Sequence, residues 1–198
     1  MKRFIPFLAL AGLTACSSTP PVHYHTLLEA GPAASNAQSA PFLIEVLPVG
    51  VPAQLDQPQM LVHEADGLLL LDNERWAGPL GDEIRGGLSA ALMRDLRTQD
   101  VAGLTRPAGK PLLRIKVQVR RMDAWLGQQV QLEADWSIGV ADDTGNARLT
   151  CRGRFDQNAA AGYPGLVQAQ KQALGALAAR IATDARAWAG SRSAGCAG

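Results

Sequence analysis

The stretch "PLLRIKVQVRRMDAW" (111–125) decides the fold, because apolar residues alternate in it with charged or polar ones. Successive side chains of a β-strand point to opposite faces of a sheet. The alternation therefore predicts a strand with one buried face and one solvated face. The buried set is Leu113, Ile115, Val117 and Val119, and the solvated set is Arg114, Lys116, Gln118 and Arg120.

The next two stretches extend this strand into a sheet. "QVQLEADWSIGVAD" (129–142) has the same alternation and follows Gly127-Gln128, which has the composition of a tight turn. "ARLTCRGRFDQ" (147–157) follows a second turn-forming run at 143–146. Three strands joined by short turns predict an antiparallel meander. Basic residues of its first strand face acidic residues of its second, a pairing that stabilises neighbouring strands.

Further strands are predicted upstream of the meander. "FLIEVLPVGV" (42–51) is apolar and β-branched between two prolines, which is typical of a strand. Asp66-Gly67 lies between two apolar runs, a strong signal for a hairpin. We expect this hairpin to pair residues 59–64 with residues 68–74.

Two segments change to the helical period. Residues 79–99 and 165–189 carry apolar residues at spacings of three or four, which predicts two amphipathic helices. The order of elements indicates an α+β fold: a mainly antiparallel sheet with two long helices packed on one face, forming one domain over residues 42–190. The stripes are Leu80, Ile84, Leu88, Ala91, Leu92 and Leu96 in the first helix, and Leu166, Ala169, Ala173, Leu177, Ile181, Ala185 and Trp188 in the second.

The beginning of the chain has the pattern of a signal peptide. Lys2 and Arg3 precede an apolar run at 4–13, which is too short to span a membrane. "LTAC" (13–16) resembles the bacterial lipobox, which implies removal of residues 1–15 and attachment of lipid to Cys16. An ordinary secretory peptide with a chance cysteine is the alternative. Ser17, where aspartate would favour inner-membrane retention, favours the outer membrane with the body in the periplasm.

The segment after the lipobox resembles a linker. Residues 16–41 are rich in Ser, Pro, Ala and Gly, a composition that predicts a flexible tether after the lipidated cysteine. "VHYHTL" (22–27) interrupts this composition and is compatible with a short extended piece. The small-residue segment 191–198 is expected to be a disordered tail.

Two further cysteines leave two interpretations open. Cys151 lies in a predicted strand and Cys196 in the expected tail. An oxidising periplasm permits a disulfide between them. The alternative is a buried Cys151 and an incidental thiol at Cys196.

Charge and composition limit the classes of function. The chain has 19 basic and 18 acidic residues, and removing Lys2 and Arg3 leaves 17 against 18. This balance lacks the basic excess of nucleic-acid-binding domains. His23 and His25 are better explained as surface residues than as metal ligands, and His63 as a structural residue. We find no nucleophile and base in a known motif and predict a protein without enzymatic activity, metal or cofactor.

Two short motifs at the junctions between elements carry more information. "LDQPQM" (55–60) precedes the hairpin and "RWAGPL" (75–80) precedes the first helix. A tryptophan just before a helix commonly packs across its first turn, so Trp76 is also explained as a core residue. We interpret the motif residues as a partner-contact or structural set: Leu55, Asp56, Pro58, Gln59, Arg75, Trp76 and Pro79.

Together with the lipobox and "IEVLPV" (44–49), these motifs resemble the PqiC-like family of ABC-type transport auxiliary lipoproteins. The resemblance covers about residues 22–190, although the family pattern would place Arg where Gln57 stands. It implies an outer-membrane lipoprotein that docks a periplasmic MCE protein of a lipid-transport system, often as a homo-oligomeric ring. The alternative is an envelope-assembly lipoprotein that binds peptidoglycan or another outer-membrane component.

Overall fold

The computed structural model describes residues 20–29, 38–141, 143 and 147–197. The expected signal peptide (1–15) and the expected lipid-attachment residue Cys16 lie outside the described residues. Within the described residues the strands are β1 (His23–His25), β2 (Leu43–Val46), β3 (Gln59–Glu64), β4 (Gly67–Trp76), β5 (Leu112–Trp125), β6 (Gln129–Val140) and β7 (Arg148–Asn158). The helices are α1 (Leu80–Leu96) and α2 (Gly162–Gly190), and a 3₁₀ turn spans Ala53–Leu55.

The predicted meander forms three strands of a four-stranded sheet with the order β2-β5-β6-β7. β5 pairs antiparallel with β6, and β6 pairs antiparallel with β7. Gly127 makes the turn between β5 and β6 with a φ of 69°, a conformation that glycine adopts without strain. On the solvated face, Arg120 Nε lies 2.7 Å from Asp135 Oδ2, so the predicted charge complementarity is present.

The hairpin belongs to a second, three-stranded sheet with the order β1-β4-β3. The α+β class with mostly antiparallel pairing is confirmed, but the described strands form two sheets rather than the single sheet expected. β1 pairs parallel with β4, and β2 pairs parallel with β5. These parallel pairs join distant parts of the chain, and local sequence patterns do not encode such pairings.

The expectation of a flexible tether over 16–41 is wrong for the segment around β1. His23–His25 forms the edge strand on β4, and Leu27 is fully buried in the main core. A strand of three residues contributes little apolar area of its own, so its order depends on side chains from β4 and α1. The folded domain therefore begins before residue 42.

The two helices pack against each other, and α2 covers β6 and β7 of the four-stranded sheet. Gly87 of α1 allows this approach, because a Cβ there would lie 2.6 Å from Leu174 Cδ2 and 3.1 Å from the Leu27 carbonyl oxygen. No helix within the described residues is both long enough and apolar enough to cross a membrane. Side chains from both helices and the sheet fill the core, including Leu88, Leu92, Ile115, Leu132, Leu177 and Ile181.

The expectation of a disordered tail over 191–198 is wrong for its described residues. A disulfide joins Cys196 to Cys151 of β7. The backbone N–H of Ala197 donates to Asp184 Oδ1 at 2.7 Å, and Trp136 Nε1 donates to Asp184 Oδ2 at 2.9 Å. Asp184 is fully buried, so this pair of donors satisfies a carboxylate that would otherwise be costly to desolvate. A covalent link and a buried acceptor thus order a segment whose composition alone does not predict order.

Candidate functional site

The two junction motifs meet at an open cleft, which we call the junction cleft. Its volume is about 410 Å³. Residues from three separate segments line it: the exposed middle of β1, the turn that precedes β3, and the link between β4 and α1. They are Tyr24, Asp56, Gln57, Pro58, Trp76, Ala77, Gly78 and Pro79.

Backbone hydrogen bonds hold these three segments together. The N–H of Trp76 donates to the Pro58 carbonyl oxygen at 2.8 Å, which connects the two motifs. The N–H of Ala77 donates to the His25 carbonyl oxygen, also at 2.8 Å, which connects the second motif to β1. Gln57 Nε2 donates to the Gln54 carbonyl oxygen and closes the turn before β3. Two main-chain hydrogen bonds and one side-chain hydrogen bond therefore set the shape of the cleft.

Trp76 forms the floor of the junction cleft and is also part of the core. Its side chain is only 5% exposed. It also borders a second, small pocket of about 10 Å³, together with Leu55 and Gln59. The interpretation of Trp76 as a core residue therefore describes its position, and its role as a partner-contact residue stays a prediction.

The structure brings most of the predicted motif residues together. Asp56, Pro58, Trp76 and Pro79 line the junction cleft, whereas Leu55 and Gln59 line a second, smaller pocket that Trp76 also borders. Arg75 is not among the residues that line the cleft, and its Nε donates to the Asp72 carbonyl oxygen at 3.0 Å.

Tyr24 is a cleft residue that the sequence did not single out. It is 66% exposed, so most of its ring is free to contact a partner. Its position follows from the parallel register of β1 on β4, in which Tyr24 lies opposite Arg75 and His25 opposite Trp76. The sequence signal that could have identified Tyr24 was the stretch "VHYHTL" (22–27), which interrupts the linker composition.

A buried carboxylate holds β1 in place. His23 Nδ1 lies 2.8 Å from Glu74 Oε1, and His25 Nε2 lies 2.5 Å from Glu74 Oε2. Burial alone would raise the pKa of Glu74, but the hydrogen bonds from His25 and His23 outweigh it and lower that pKa below 4.5. The histidines that flank Tyr24 thus fix the strand that presents it.

A second buried carboxylate fixes the chain after β1. Glu83 lies in the first turn of α1, where the helix dipole favours negative charge. Its Oε2 accepts hydrogen bonds from Thr26 Oγ1 at 2.6 Å and from the N–H of Leu27 at 2.9 Å. The segment on both sides of Tyr24 is therefore anchored, and the tyrosine is presented from a rigid support.

The chemistry of the junction cleft suits binding. Two aromatic rings, two prolines and small residues provide apolar contact area that loses little side-chain entropy on binding. Asp56 and Gln57 add polar groups at its rim. Within the described residues there is no group of three or more His, Cys, Asp or Glu side chains that could hold a metal ion.

The comparisons with known proteins agree with this architecture. The model of a family described as ABC-type transport auxiliary lipoprotein component matches residues 25–182. The fold is similar to the crystal structure of an uncharacterized protein, with a TM-score of 0.64 and 19% sequence identity over 83% of this chain and 98% of the other. It is also similar to a DUF330 protein from Xanthomonas campestris, with a TM-score of 0.61 and 13% identity over 81% of this chain and 91% of the other. No curated protein matches the chain.

Proposed function

Because the chain belongs to the family of ABC-type transport auxiliary lipoprotein components, we propose that it docks a periplasmic MCE protein of a lipid-transport system at the outer membrane. Membership makes it a transport-associated lipoprotein, and lipoproteins are anchored to membranes of the cell envelope. The identity of the partner, the outer-membrane location and a non-catalytic docking role are our proposal. The lipobox at 13–16 and Ser17 support the location.

The observation that carries the docking role is the junction cleft. The exposed ring of Tyr24 lines this cleft together with Pro58, Pro79 and Trp76. Aromatic residues on a rigid support are typical of the few residues that dominate the energy of protein interfaces. We infer that the cleft receives an extended or looped segment of a partner protein, the MCE protein.

Purification of the tagged, lipidated protein from envelope extracts in mild detergent tests this proposal. The wild-type protein is expected to retain an MCE protein, and Tyr24→Ala is expected to lose it. Leu104→Ser is the matched control, because Leu104 is 70% exposed and does not line the cleft. Recovery of cell-wall or porin partners instead of an MCE protein would support the alternative, an envelope-assembly role. Retention of the MCE protein by Tyr24→Ala would show that docking occurs elsewhere.

A further inference from the structure

A run of exposed leucines at the start of β4 is not explained by the junction cleft. Leu68, Leu69 and Leu70 are 55%, 41% and 40% exposed, whereas Leu71 is buried. Consecutive residues of a strand face opposite sides of the sheet. Three consecutive exposed leucines therefore place apolar surface on both sides of the hairpin end. We call Glu64–Leu70 the hairpin tip.

The register of β1 shows from which end of the sheet the chain enters this strand. β1 runs parallel to β4, with His23 opposite Glu74. The chain therefore enters β1 from the end of the sheet at which β4 begins, and β4 begins at the hairpin tip. Val22, the last residue before β1, is exposed on this approach.

The distances along the chain match. Leu70 to Leu68 lie four to six residues before Glu74, or about 13–20 Å along the strand. Cys16 lies seven residues before His23, so even a fully extended chain places it within about 24 Å of that residue. His23 and Glu74 are paired. The greatest distance of Cys16 from this pair is therefore comparable to the distance of the three leucines from it.

We propose that the hairpin tip contacts the phospholipid surface of the membrane that holds Cys16, with Leu68, Leu69 and Leu70 in the interfacial layer. This rests on the proposed function, since it requires lipidation of Cys16. The short connection keeps the leucines near the bilayer, and their transfer out of water stabilises the contact. Glu64 at the end of β3 and Asp66 in the turn are exposed, and the cost of desolvating their charges limits the contact to shallow insertion. The result is a second attachment point that sets the orientation of the body.

Site-specific photocrosslinking in intact envelopes tests the contact. The photoreactive residue p-benzoyl-L-phenylalanine replaces Leu69 in the lipidated protein, and the same residue in place of Leu104 is the control. Leu104 is more exposed than Leu69. It precedes the first residue of β5, whereas the hairpin lies at the last residue of β5, because Trp125 stacks on His63. We expect a phospholipid adduct from position 69 and none from position 104. The proposal would be overturned if position 69 gave no adduct, or gave adducts only with another protein or with a second copy of this chain.

A second measurement depends on a smaller substitution. The lipidated variant Leu69→Trp is reconstituted in zwitterionic vesicles that contain brominated phosphatidylcholine. We expect more quenching of its fluorescence than for the wild-type protein or for Leu104→Trp; equal quenching in all three would overturn the contact. The partner pull-down, carried out on the same extracts, separates the two proposals. Recovery of an MCE protein without a lipid adduct at position 69 refutes the membrane contact alone, and an adduct without an MCE protein refutes the docking role alone.

Discussion

Replacing Trp76 by alanine tests whether this residue of the junction cleft stabilises the fold or only binds the partner. The side chain is 5% exposed and belongs to the main hydrophobic core. Truncation of a buried tryptophan leaves a large void that relaxes only in part. We expect the free energy of unfolding to fall by about 3–5 kcal/mol.

For a domain of this size that loss corresponds to a melting temperature about 6–20 °C lower. Thermal unfolding of the purified lipidated protein in mild detergent, followed by circular dichroism, measures it. Tyr24→Ala is the matched variant, because Tyr24 lines the same cleft but is mostly exposed. Its unfolding free energy should change by less than about 0.5 kcal/mol, while the retained partner is lost. An unchanged melting temperature for Trp76→Ala together with a lost partner would refute the assignment of Trp76 to the core.

Three further predictions concern the tail, the charged face and the anchor. Cys196→Ser opens a link between residues 45 positions apart and should lower the unfolding free energy by about 4 kcal/mol; if a reductant leaves the melting of the wild-type protein unchanged, the disulfide with Cys151 does not form. The hydrogen bond from Arg152 lowers the pKa of Asp135, whereas burial raises it. A second hydrogen bond, from Arg120, lowers it further, and the resulting pKa is about 2. Because this pKa is below the usual 3.8, Asp135 stabilises the fold above about pH 4 and ceases to do so as the pH falls towards 2. The difference in melting temperature between wild type and Asp135→Asn should shrink over that interval, and a constant difference would contradict the ion pair. Cys16→Ala should leave the melting temperature unchanged but release the protein from the outer-membrane fraction, and its retention there would contradict the anchor.

The sequence predicted those elements whose signals are local. The alternation in β5 and β6 and the helical period of α1 reflect which side chains meet the core, and the structure has these elements close to the expected bounds. The division into two sheets was not predictable in this way. It depends on parallel pairing of β1 with β4 and of β2 with β5, which joins segments far apart in the chain.

The candidate site was predicted only in part, because local motifs identify some of its residues and contacts between distant segments supply the others. Pro58 and Trp76 were singled out because each lies in a motif at a junction, and the structure places both at one cleft. Tyr24 was missed because its three-residue strand lies within a longer segment of linker composition and is ordered by Glu74, a residue 50 positions away. The order of the C-terminal tail likewise depends on contacts with Cys151 and Asp184, which no feature of the tail itself reveals.

The most direct test of the docking role is affinity purification of the lipidated protein in mild detergent, followed by mass spectrometry of proteins and lipids in the same eluate. We predict an MCE protein and phospholipid with the wild-type chain, and neither the MCE protein nor its lipid with Tyr24→Ala. An eluate from the wild-type chain that contains cell-wall proteins, or no MCE protein at all, would contradict the proposed role in lipid transport.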